Sequence, residues 1–461
     1  MYDVVIKNGT IIDPKREIQT IGNIGIREGT IATVSREKLE GAVVIEAEDL
    51  VVCPGFVDIH SHLSFPLYPA WNSVRQGITT CLSGNCGMSP QMPIGTFLDE
   101  MEAKGYPLNY AVLAGHSWTL RKIVGITDPY QAATDRQIEE MAELADTAMK
   151  EGAFGISFGL EYAPGTTMSE ILALSRVAAR YDKLVTIHIR TDALNFATGL
   201  REAIEISEKT GARVQISHLA YQFGVYPEVT GMALQMIGNA RAKGLPILCD
   251  SGIYEAFATF VKSAVFDPGW TERYHCTLND LMISSGRYLG QRCTKEIYDH
   301  VRNVEEGVVG TAFVGVLPDL ALALQQPYVM VSTDAGLSEE PGSGHPQDVG
   351  TYPRVFQKLV REQGALSLMD AVRKSSLLPA QQLRLEGKGW IGSGADADLV
   401  IFNPRTIADT AQYAGLGKPD SKPVGIEHVI INGVPVVNGG ETAEDRLPGK
   451  MLRQSAELWR L

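Results

Sequence analysis

Six side chains of the kinds that bind transition metals recur where short apolar runs end. CPGFVDIHSH closes on His60 and His62, ITTCLSGNC closes on Cys86, LVTIHIR carries His188, VQISHLA carries His218 and YVMVSTDAG carries Asp334. Imidazole, thiolate and carboxylate groups gathered from successive strand ends are how a barrel enzyme builds a zinc site on one face. Zinc lowers the pKa of bound water to about 7, so the set points to hydrolysis by activated water. Asp334 would accept the water's proton and pass it to a leaving nitrogen.

Each residue also has a plainer reading. His60 and His62 are two apart, and residues two apart on an extended strand point to the same side, so both rings can face one ion. His188 and His218 each sit in an apolar strand, where an unpaired imidazole is costly. Singly they read as satisfied core histidines; four histidines at corresponding strand ends do not. Cys86 alone reads as a small buried hydrophobe, but the GNCG setting lets the backbone approach closely and favours a thiolate ligand. Asp334 reads as a turn cap or, at the end of the last strand, as ligand and proton shuttle. His116, in LAGHSWTLR, either steadies the developing oxyanion or packs behind the ligands.

The elements that must position these groups alternate. Strand-like runs lie at 54–60, 78–84, 110–115, 153–159, 184–190, 213–219, 246–250 and 328–333. Between several of them lie stretches with apolar residues three and four apart, such as AATDRQIEEMAELADTAMKEG and FATGLREAIEISEKTG. Eight strands alternating with helices predict a closed (β/α)8 TIM-type barrel over 54–387. Residues 1–53 and 388–461 are rich in strands and hairpin turns, and together they predict a small β-sandwich domain. The segment 255–310 shows neither period, and 335–352 reads as a long loop over the barrel mouth.

The chain of 461 residues carries a formal charge of −13, which disfavours nucleic-acid binding. The N-terminus, MYDVVIKNGTIID, alternates like a strand and lacks the pattern of a secretory signal. No apolar run reaches the roughly 18 residues that span a bilayer. The cysteines at 53, 81, 86, 249, 276 and 293 form no CxxC pair and read as reduced thiols. The expected location is the cytoplasm, with a small-molecule amide as partner, no membrane and no nucleic acid; a homo-oligomer stays open.

The chain resembles the amidohydrolase superfamily and, within it, the D-aminoacylase (N-acyl-D-amino-acid deacylase) family. PGFVDIHSH, GITTCLSGNCG, GHSWTLR, GLEYAPG, HIRTD, ISHL, STDAG, HPQDVGTYPR and SGADADLVIFNP carry the resemblance along nearly the whole chain. Other amidohydrolases place a carbamylated lysine at the end of the fourth strand, and AFGISFGL has none. The resemblance implies a tight zinc site of Cys86, His188 and His218 and a weaker one of His60, His62 and Asp334, hence one or two Zn2+ ions. It implies substrate-side roles for Tyr162, Tyr254, His345 and Arg354, and for Ser284 and Ser285 beside the substrate carboxylate. Two departures follow. The family's lysine two residues past the sixth-strand histidine is Ala220 here, and of its Tyr-Pro-Tyr segment only Tyr254 remains. Losing a charged hydrogen bond is worth about 1.5–3 kcal/mol, so binding of a free acid should weaken: a basic side chain reaching in from Arg190, Arg287, Arg292 or Arg354 would restore the carboxylate reading, and an apolar or amide-lined pocket would favour a neutral substrate.

Three functions follow in order: deacylation of an N-acyl-D-amino acid or related linear amide; hydrolysis of a cyclic amide such as a hydantoin or dihydropyrimidine; and a non-catalytic scaffold on the same fold, which the intact ligand set disfavours.

Overall fold

The computed structural model describes residues 1–219 and 226–456. Ala220 therefore lies outside the described residues. Eight parallel strands form the central barrel: β1 (Phe56–Asp58), β2 (Ile78–Ser83), β3 (Asn109–Val112, resuming at Ala114–Gly115), β4 (Gly155–Gly159), β5 (Leu184–His188), β6 (Arg213–Ile216), β7 (Ile247–Ser251) and β8 (Val329–Val331). Neighbours pair in sequence order from β1 to β8. The ring closes beyond the strand ends, where Asp334 N donates to His60 O at 2.9 Å and His62 N donates to Ala335 O at 2.7 Å. That seam joins the first and last candidate ligands through the backbone.

Alternation sorts the side chains. Val185 and Ile187 pack outward with the helix residues Leu174, Leu200 and Ile206, which leaves Leu184, Thr186 and His188 facing the barrel interior. The helices begin where the sequence supplies caps. Thr134 and Gln137 form a capping box at Asp135–Lys150, and Thr167 and Glu170 form one at Met168–Arg180. Gly211, at φ 69°, ends the helix Phe196–Thr210 in the left-handed conformation that glycine adopts freely.

Both chain ends join one nine-stranded sheet, in which Val51–Pro54 pairs antiparallel with Leu399–Phe402. The period of two makes this pair the joint of the molecule. Val52, Leu399 and Ile401 pack with Ile6, Ile24 and Ile26 inside the sandwich. Val51, Cys53, Val400 and Phe402 face the barrel helices instead.

Two segments differ from the sequence reading. Residues 255–312 carry a three-stranded antiparallel sheet, Phe257–Phe260, Val309–Ala312 and Leu281–Ile283, over its own apolar core of Val261, Phe266, Trp270 and Val301. The strands are only three or four residues long, too short to show a period. The expected loop 335–352 becomes helical from Gln347, because Pro346 and the following residues begin a helix that runs to Val355. No helix among the described residues is long and apolar enough to cross a membrane.

Candidate metal centre

Cys86 is the point on which the cluster converges. Its Sγ lies 3.4 Å from His60 Nε2, 3.8 Å from His188 Nδ1 and 3.6 Å from His218 Nε2. Asp334 Oδ1 lies 3.2 Å from His60 Nε2 and 3.0 Å from His62 Nε2. Two donor triads result, His60–His62–Cys86 and Cys86–His188–His218, each with its ligand atoms within 4.8 Å of one another. The six side chains are thus gathered at the C-terminal ends of the barrel strands.

The backbone is bent to achieve this. Cys86, His218 and Asp334 have φ values of 51°, 35° and 60°, left-handed conformations that non-glycine residues rarely adopt and that concentrate at functional sites. Strict alternation from Val214 and Ile216, which face the helices, would send residue 218 outward; the bend turns it to Cys86 instead. Gly87 is required beside Cys86, since a Cβ there would meet Ser117 N at 2.5 Å.

The electrostatics suit a cation. Burial pushes the Cys86 thiol up, yet His60, His188 and His218 outweigh it and hold the thiol well below its ordinary range. Burial likewise opposes ionisation of Asp334, and the His60 and His62 imidazoles overcome it. A thiolate and a carboxylate set among imidazole nitrogens form a zinc donor set. The outer nitrogens are oriented too. His188 Nε2 meets Glu161 Oε2 at 2.8 Å, and His60 Nδ1 lies 3.3 Å from Asp250 Oδ1. Asp250 also accepts from His218 N at 2.9 Å, Ser332 Oγ at 2.8 Å and Gln215 Nε2 at 2.6 Å. Such carboxylates fix ring orientation around a metal. His62 Nδ1 is buried and has no hydrogen-bond partner among the described residues.

A chamber opens beside the ligands. One narrow lobe, of about 30 Å³, is walled by Glu161, Tyr162, His188, Asp192, Thr259 and Tyr274. A second, of about 10 Å³, adds His62, Cys86, Met88, Trp118, Phe260 and Leu337. Tyr162 and Asp334 line both. Glu161 also pairs with Arg273 at 2.7 Å, and Arg273 Nε reaches Asp192 at 3.2 Å. Burial, with Glu161 beside it, pushes the Asp192 carboxyl up from its ordinary range.

Of the residues expected on the substrate side, Tyr162 reaches the chamber; its OH bonds Thr259 Oγ1 at 2.9 Å. The others do not line the chamber. His116 is fully buried, with Nε2 on Glu170 at 2.8 Å and Nδ1 on Ser117 Oγ at 3.1 Å, so no ring nitrogen is left for an oxyanion. Arg190 spends its fork on Glu202 and on the carbonyls of Pro164 and Thr166. Tyr254 donates to Asp409 at 2.7 Å, and buried His345 packs edge-on against it. Arg354 binds Glu255 at 2.9 Å. Ser284 is buried against Thr311 Oγ1 at 2.6 Å, and Ser285 Oγ accepts from Val309 N at 2.8 Å. Arg287 is exposed over Tyr288, and Arg292 lies over Phe313. Glu161, Asp192, Asp250, Arg273 and Tyr274 were missed. Glu161 and Asp192 stand inside the GLEYAPG and HIRTD segments, directly after strands, where that position was the available signal.

Comparison with known proteins agrees with this architecture. The family model described as "Amidohydrolase family" matches residues 51–436. D-aminoacylase of Alcaligenes xylosoxydans xylosoxydans is 31% identical over 94% of each chain. N-acyl-D-glutamate deacylase of the same organism is 28% identical over 99% of this chain and 97% of the relative. The crystal structure of N-acyl-D-glutamate deacylase from Bordetella bronchiseptica, complexed with zinc and a phosphonate inhibitor, superposes with a TM-score of 0.85 at 27% identity, covering 98% of this chain and 100% of that one.

Proposed function

We propose, from the premise that the chain belongs to the amidohydrolase family, that it hydrolyses the amide bond of an N-acyl-D-amino acid. The observation that carries this reading is the convergence of His60, His62, Cys86, His188, His218 and Asp334 on one chamber at the barrel mouth. The named activities of the relatives support the substrate class.

Cys86, His188 and His218 would hold one zinc ion, and His60, His62 and Asp334 a second. Zinc so held supplies a Lewis acid that polarises the amide carbonyl and makes water nucleophilic near pH 7. Asp334 takes the proton of the attacking water. Its Oδ1 is fixed by His60 and His62, which leaves Oδ2 to receive the proton and hand it to the amide nitrogen as the C–N bond breaks. Glu161 and Asp250 keep the imidazoles of His188 and His60 aimed at the centre. Tyr162 and Thr259, bonded to each other, form the wall across from the ligands and present hydroxyls to the substrate. Arg273, beside Glu161 and Asp192, is held by these two side chains and fixes them at the edge of the polar lobe.

The test is turnover by zinc-loaded protein of N-acetyl-D-amino acids with apolar, acidic and polar side chains, set beside their L-enantiomers and hydantoins. Release of D-amino acids, with the L-forms at least tenfold slower, is expected. Turnover of hydantoins alone would overturn the reading.

A further inference from the structure

The metal chamber does not end at its own walls. Trp118, Tyr162 and Phe260 line the inner lobe and also line a third cavity of about 480 Å³ outside it. The three rings form a continuous threshold. Trp118 lies 5.6 Å from Tyr162 and 6.1 Å from Phe260, ring centre to ring centre. Trp118 Nε1 has no hydrogen-bond partner among the described residues, so packing alone sets the position of this indole.

The two lobes differ in chemistry. The lobe at Glu161, Asp192 and Tyr274 adds two carboxyl groups to Asp334, whereas the one leading to the threshold, which His62, Cys86, Thr259 and Asp334 also line, adds the side chains of Met88, Trp118, Phe260 and Leu337. Beyond the threshold the outer groove continues with Ile126, Pro129 and Ala264 among its lining. Of its cations, Lys262 pairs with Glu306, Lys122 is exposed, and buried Arg121 is paired with Glu170. An amino-acid half brings charge and hydrogen-bonding groups, which suit the polar lobe. The acyl half then faces the apolar lobe and the groove. An acetyl group is a single methyl beyond its carbonyl and would leave the groove's apolar surface to water.

Resting on the deacylase reading above, we propose that the preferred acyl group is an extended apolar chain, which crosses the Trp118–Tyr162–Phe260 threshold and lies in the outer groove. Binding energy from this remote part would be used at the reacting carbonyl, so chain length should appear in kcat/KM.

The experiment compares N-acetyl, N-butanoyl and N-octanoyl derivatives of one D-amino acid with the zinc-loaded enzyme. A rise of at least tenfold in kcat/KM from acetyl to octanoyl is expected. Thr127→Trp and Ala264→Trp fill the groove from its outer wall and should bring the octanoyl-to-acetyl ratio toward one; thermal melts check that both variants fold. Equal or falling kcat/KM with chain length, where both ends of the series turn over, overturns the proposal. If no N-acyl-D-amino acid turns over, the deacylase reading fails, and calorimetry with acetate and octanoate decides the groove on its own. Octanoate binding at least tenfold tighter than acetate, and weakened in Thr127→Trp, upholds an acyl-chain groove. Binding independent of chain length refutes it.

Discussion

Cys86 sits within 4 Å of three imidazole nitrogens, and each of those rings is steadied from behind or beside by a carboxylate or a neighbouring ring. Removing one such support should loosen the metal without removing a ligand. Glu161→Gln keeps the shape but weakens the hold on His188 Nε2 and frees Arg273, and metal affinity should fall 10- to 100-fold, as read by competition with a chelating dye. At this scale the ligands were legible because each ends an apolar run with a residue type that burial alone does not explain. The supports were not. Glu161 and Asp192 acquire meaning only when β4 and β5 lie side by side, with Gly159 opposite His188. Arg190 and Tyr254, expected on the substrate side, lie near the right strands with their polar atoms on Glu202 and Asp409, pairings that only the fold reveals.

Glu170 shows how an element can depend on one side chain. It closes the capping box of Met168–Arg180, accepts from Arg121 at 2.6 Å and holds His116 at 2.8 Å. Glu170→Ala leaves a buried guanidinium unpaired and should destabilise by about 3–5 kcal/mol, whereas Thr134→Ala, at an exposed cap, should cost about 1 kcal/mol; denaturant unfolding of the two variants separates them. Lys183, after that helix, is buried and donates to Met149 O at 2.7 Å and Gln454 O at 3.2 Å. Burial lowers it to about 8 from 10.5, so between those values the unfolded chain binds more protons and stability from this group rises with pH. Wild type should therefore gain on Lys183→Met as pH goes from 8 to 10, measured as the difference in Tm. A constant difference would refute the assignment. Helices with caps and strands with period two were readable. The 255–312 sheet was not, because its short strands serve to wall the chamber as much as to fill a core.

The molecule is a barrel whose first strand is entered from a sandwich. Phe402 marks the joint: it is buried, packs at a tilt against Phe356 with ring centres 5.0 Å apart, and lies one residue from Ile401 in the other core. Phe402→Ala should cost about 3–5 kcal/mol and lower the Tm of the whole chain in one transition. The union of both chain ends was legible as matching strand-rich flanks; their pairing of Val51–Pro54 with Leu399–Phe402 required the fold. What unites these scales is the proposed mechanism, a metal-dependent amide hydrolysis in which Asp334 would move the proton. The most direct test measures metal content and turnover of an N-acyl-D-amino acid together, in wild type and Asp334→Asn. The variant should retain metal at Cys86, His188 and His218 while kcat falls by at least 100-fold. Turnover by metal-loaded Asp334→Asn within threefold of wild type would contradict the role assigned to this carboxylate.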